Sequence, residues 1–166
     1  MFANTTAESN NSFGADSLKT NTTGGCNQAF GKSALEGNTT GACNIAMGHY
    51  AMAGNSTGVR NVAIGHNALD SNTTASDNTA VGTKALCANT TGSYNTAVGC
   101  NALQASTTAV CNVALGVFAG SAVTTSSRNV FVGHQAGDTT TTGSDSVGIG
   151  RQTRTGTTGG SNNIIG

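Results

Sequence analysis

Short apolar triplets, each preceded by asparagine and followed by glycine, recur along the chain: Ile45-Ala46-Met47, Val62-Ala63-Ile64, Thr79-Ala80-Val81, Thr96-Ala97-Val98, Val113-Ala114-Leu115 and Val130-Phe131-Val132. The glycines Gly14, Gly31, Gly48, Gly65, Gly82, Gly99, Gly116, Gly133 and Gly150 stand seventeen residues apart, and Gly166 follows sixteen residues after the last. A fixed period of this size marks a solenoid, in which each repeat forms one coil and stacked coils supply the core. The sequence therefore predicts an all-β solenoid, a single domain over residues 1–166 with about ten 17-residue coils, regular from 4 to 105 and divergent from 106 to 166. Strands hydrogen-bonded at about 4.8 Å per rung would make a rod roughly 48 Å long.

Units are counted from Asn4, Asn21, Asn38, Asn55, Asn72, Asn89, Ser106, Val123 and Thr140, and their seventh position is asparagine throughout, with Ser146 the exception. Asparagine accepts turn conformations and stacks as an amide ladder, so this position predicts a corner. In the strand that follows, the eighth and tenth residues point one way and the ninth the other. The ninth position holds Ala29, Ala46, Ala63, Ala80, Ala97 and Ala114, small and apolar opposite a face of larger side chains. One narrow coil can cover only one of two apolar faces. The alanines are therefore the candidate interface to neighbouring copies, arranged as a closed ring. The turn glycines Gly31, Gly48, Gly65, Gly82, Gly99, Gly116, Gly133 and Gly150 then permit a sharp bend. A second short strand is expected at Asn67-Ala68-Leu69, Lys84-Ala85-Leu86 and Asn101-Ala102-Leu103, with its leucine in the core. The Asn-Thr-Thr stretches read as polar turns. From Ser106 onward that leucine gives way to Gly120, Gly137 and Arg154, and Phe118 and Phe131 are candidates to fill the space.

Composition narrows the function classes. Only 8% of the residues are charged and the net charge is zero, which removes the basic footprint of a nucleic-acid or membrane-surface binder. Neither a nucleic-acid partner nor membrane insertion is expected. The opening Met1-Phe2-Ala3-Asn4 lacks the basic and apolar regions of a signal peptide, and an end inside a rung at Ile164-Ile165-Gly166 is expected of a segment of a longer chain. Five cysteines at irregular spacing give neither a paired framework nor a zinc motif.

Stacking neighbours seventeen apart brings several polar groups together. Arg60 meets Asp77 and Arg128 meets Asp145 as expected ion pairs, while Cys26 and Cys43 lie within disulfide reach yet are expected as free thiols. His49 and His66 share a column with Lys32 and Arg151, which points to a solvated side rather than a metal site. Paired threonines such as Thr5-Thr6, Thr22-Thr23, Thr39-Thr40, Thr73-Thr74 and Thr90-Thr91 are similar to ice-binding arrays, but adjacent strand residues face opposite sides and offer one hydroxyl per rung. Asn4, Asn21, Asn38, Asn55, Asn72 and Asn89 open glycosylation sequons whose crowding argues against use on every rung. No set of residues suggests catalysis, a cofactor or a metal, so no enzyme is expected.

The Asn-Thr-Ala-Val-Gly motif and its variants Asn61-Val62-Ala63-Ile64-Gly65 and Asn112-Val113-Ala114-Leu115-Gly116 cover essentially the whole chain. They resemble the head repeats of trimeric autotransporter adhesins, and more closely the Asn-Thr-Thr-Gly-spaced repeats of phage tail fibres and large algal-virus fibre proteins. The resemblance implies a left-handed parallel β-roll, homotrimeric, with the strand lining the inside of the trimer. Repeats of adhesins are shorter, so their binding residues do not carry over. The expected role is a structural or adhesive segment of a viral tail or attachment fibre on the virion surface, with a host-cell receptor or glycan as partner. The alternatives are a bacterial adhesin head at the cell surface and an ice-binding solenoid.

Overall fold

The computed structural model describes residues 6–153 and 162–166, so the expectations for Asn4, Thr5 and Arg154 lie outside the described residues. Ten three-residue strands follow one another along the chain: β1 (Asn11–Phe13), β2 (Gln28–Phe30), β3 (Ile45–Met47), β4 (Val62–Ile64), β5 (Thr79–Val81), β6 (Thr96–Val98), β7 (Val113–Leu115), β8 (Val130–Val132), β9 (Val147–Ile149) and β10 (Asn163–Ile165). They form one parallel sheet in sequence order, so the described connections between them are coils of a β-solenoid. Register is one full repeat: Ala80 lies beside Ala97 and Ala97 beside Ala114. The last pair shifts to sixteen residues, with Asn163 beside Val147, because the rung beginning at Thr140 is one residue short.

The strand faces are the reverse of the sequence expectation. Ala29, Ala46, Ala63, Ala80, Ala97 and Ala114 are fully buried within their own coil, so they cannot form an interface to another copy. They pack inward with Ala85 and Leu86 and their equivalents in one continuous core. The larger residues at the eighth and tenth positions face outward, Ile64 and Val98 each 38% exposed. Alternation along a strand defines two faces without saying which one the chain closes over. From Ala29 to Ala97, the inward strand position carries alanine where the opposite wall carries leucine or methionine.

That wall is not the second strand that the pattern predicts. Gly82 to Cys87 are bend and turn, with Lys84 at φ 56° and Leu86 at φ 51°. Ala85 N–H donates to Gly82 O at 3.2 Å to close a tight turn, while Leu86 N–H reaches Ala102 O on the next rung and Lys84 N–H reaches His66 O on the previous one. Left-handed conformations at non-glycine residues cost about 1 kcal/mol each, and these bonds between rungs offset them. Gly82 itself sits at φ 130°, where a Cβ would lie 2.6 Å from Gly99 O, so both conformation and space require glycine.

Asparagine fills the remaining interior in two ladders. At the corner before each strand, Asn61 Nδ2–H donates to Asn44 Oδ1 at 3.2 Å and to Ala75 O at 2.8 Å, and Asn61 N–H also reaches Asn44 Oδ1. At the start of each unit, Asn55 Nδ2–H donates to Asn38 Oδ1 at 2.7 Å and to Gly58 O at 3.1 Å. Both columns are buried from Asn21 to Asn95. Satisfied amides explain how a core of small apolar residues carries so many polar groups, since a buried amide without partners would be costly.

After Ser106 the cross-section is filled differently. Phe131 takes the ninth position, fully buried, where earlier rungs have alanine. A Cβ on Gly137 would collide with the Phe131 ring, and one on Gly120 would come within 2.8 Å of it. One ring thus occupies the space of two leucines, as expected of Phe131. Phe118 does not fill that space, because it lies in the turn at φ 58° and is 36% exposed.

Candidate assembly face

The outward strand face is an extended apolar surface of the described solenoid. Ile45, Met47, Val62, Ile64, Val81, Val98, Val113, Leu115, Val130, Val132, Val147 and Ile149 line it in two columns, half-buried or exposed, interrupted by Thr79 and Thr96. Bulk increases toward the first rungs, where Phe30 is 40% and Phe13 75% exposed. From β3 to β9, rungs of about 4.8 Å and a width of three residues make a strip of roughly 300 Å², within the few-hundred Å² scale at which contiguous apolar surface marks an interaction site. The in-register parallel pairing makes its side-chain columns regular.

Polar columns border this strip. On the side entering each strand, Arg60 donates from Nε to Asp77 Oδ1 at 2.7 Å and from Nη2 to Oδ2 at 2.9 Å, and Arg128 binds Asp145 in the same two-pronged way. These are the ion pairs expected from column neighbours. Hydrogen bonds from the two guanidinium groups hold the Asp77 and Asp145 carboxyls below the ordinary aspartate value. Cys26, Cys43 and Cys111 stand exposed and free in the same column. On the side leaving each strand, His49 and His66 are exposed and stacked with ring centroids 5.3 Å apart. Among the described residues no three histidine, cysteine or acidic side chains gather as metal ligands. Below this edge, burial pushes the Asp70 carboxyl up, against the opposing charge of His66 and a 3.3 Å hydrogen bond from Asn67.

The threonine pairs divide their labour. The first of each pair turns its hydroxyl onto the next rung: Thr39 Oγ1–H donates to Ser56 O at 3.0 Å and Thr90 Oγ1–H to Thr107 O at 3.1 Å. The second, as Thr40, Thr57, Thr74, Thr91, Thr108 and Thr125, is exposed. The sequon asparagines Asn21, Asn38, Asn55, Asn72 and Asn89 are buried, and their amide nitrogens donate within the core. Attachment of a glycan at any of them would require the amide to leave the ladder. Sequence reasoning assigned these residues only to a turn, although their column neighbours seventeen residues apart already define an amide stack.

No pocket opens on the described surface, so the strip and its borders are the features available for recognition. Comparison with protein-family models, with curated proteins and with solved structures found no match to this chain.

Proposed function

We propose that the chain is a structural and adhesive segment of a fibre, of the viral tail-fibre or attachment-fibre kind, assembled as a homotrimer along its outward strand face. The observation that carries this reading is the apolar strip from Ile45 to Ile149 on a solenoid whose other described surfaces are dominated by uncharged polar groups. A second copy is the natural occupant, because its rungs have the same pitch and every outward side chain meets a side chain at the same height. Three copies would close a ring and leave no strip uncovered. The exposed threonine column and the polar turns then form the outer surface, available to a host-cell receptor or glycan. Ice binding is the weaker reading, since half of the paired hydroxyls are spent on bonds between rungs.

Light scattering on the purified chain tests the assembly. Three copies of 16.3 kDa give an expected mass of about 49 kDa, and a folded monomer at high concentration would overturn the proposal. Val98→Asp places a charge on the outward face and is expected to yield a folded monomer. Ala97→Asp, one residue earlier, buries the charge in the coil and is expected to prevent folding.

A further inference from the structure

The sixth position of each unit is a column of residues one rung apart, in which Arg60 pairs with Asp77 and Arg128 with Asp145, and in which Cys43 follows Cys26. We infer that Cys26 and Cys43 are a cross-rung disulfide site, a redox-controlled staple between the coils that carry β2 and β3. This is independent of the assembly face, and three observations support it. Both cysteines have φ 59°, so their Cα–Cβ bonds leave equivalent backbone in parallel directions. They are one rung apart, about 4.8 Å, inside the roughly 4.4–6.8 Å range of Cα separations that disulfides span. The arginine–aspartate pairs occupy the same column at φ 56–60° and make ion pairs at 2.7 and 2.6 Å, so residues one rung apart in this column present their side chains on the same side of the coil.

Both thiols are exposed, so a small disulfide oxidant can reach them. The thiolate of one cysteine attacks a sulfur of the oxidant, forming a mixed disulfide and releasing one thiol. The second cysteine's thiolate then displaces the remaining half as a second thiol, leaving the bond between Cys26 and Cys43; the two protons and two electrons end on the reduced oxidant. The closed loop contains the strand, glycine turn and leucine of one complete coil. Equivalent backbones hold the Cβ atoms near the rung spacing, somewhat wider than the about 3.8 Å a relaxed disulfide prefers. Rungs must close slightly to form the bond, which makes it one that thiols reduce readily.

The test uses the full chain with oxidised glutathione. Trypsin cuts after Lys19, Lys32 and Arg60, so the two cysteines fall in separate peptides, 20–32 and 33–60. After oxidation these peptides are expected to run as one linked species that dithiothreitol separates. Hydrogen exchange at the Cys43 amide, which donates to Gly25 O at 2.9 Å, is expected to slow at least about tenfold in the oxidised chain. In Cys43→Ser the first step should stall, with Cys26 carrying glutathione. Glutathione adducts on both cysteines of the native chain, thiols that both remain free, or links between chains would overturn the inference. Unchanged exchange at Cys43 despite a formed bond would overturn its role as a staple.

Discussion

The coils before and after Ser106 fill one cross-section by different means. In the earlier coils every rung supplies its own small set, such as Ala80, Ala85, Leu86 and Asn89, and each set is nearly a copy of its neighbour's. In the later coils Phe131 fills space for the rungs of Gly120 and Gly137, and Val123 replaces the asparagine that begins the unit. The first design is additive, so that damage to one rung is met mainly by that rung and its neighbours. The second couples rungs through a single ring. At the junction the starting ladder stops: Asn89 Oδ1 and Ser106 Oγ are buried without a hydrogen-bond partner, because a serine cannot span the distance an asparagine bridges.

Among truncations and polar swaps, the largest effect is expected at the coupled site. Phe131→Ala removes the filling of two rungs and should cost about 3–5 kcal/mol in urea unfolding, at the upper end for a core truncation. Adding Gly120→Leu and Gly137→Leu should recover most of it, because Leu86 and Leu103 already occupy that column at φ 51° and 49°. Failure of the double leucine to rescue would mean that the halves differ in backbone rather than in filling. In the additive half, Asn55→Ala strips partners from the Asn38 carbonyl oxygen and the Asn72 amide, an expected loss of about 2–3 kcal/mol in the same assay. Ser106→Asn should carry the ladder one rung further by giving Asn89 Oδ1 a donor, raising stability by about 1 kcal/mol and sharpening the boundary's position.

The smallest effect concerns the exposed ion pairs, one in each half. Asp77 and Asp145 have folded-state pKa values lowered by their arginines, so they contribute stability above the ordinary aspartate pKa and lose it as pH falls through the lowered value. Thermal melts of Asp77→Asn and Asp145→Asn should match the parent chain in acid and fall slightly below it at neutral pH. Equal changes in both halves would confine the regional difference to the interior.

Much of the fold was legible as columns. The parallel register, corner asparagines, turn glycines, ion pairs and filling by Phe131 all follow once residues seventeen apart are placed side by side. The strand face left outside the coil was assigned to the wrong side, and the turn opposite the strand was read as another strand. One signal for that turn was present: the sixth, thirteenth and fifteenth positions carry no valine, isoleucine or threonine among the described residues, although the chain is rich in threonine. These are the positions that adopt positive φ, as Tyr94, Lys84 and Leu86 do, and β-branched side chains are the ones least able to follow.

The sequence by itself determined the period, the strand after each corner asparagine and which residues stack, because one repeat of seventeen leaves a parallel sheet a single register. Tertiary structure alone decided the direction of every strand face. Alternation is symmetric with respect to inside and outside, whereas the left-handed turns at Lys84 and Leu86 draw the far wall close enough that Ala80 fits inward and Val81 does not.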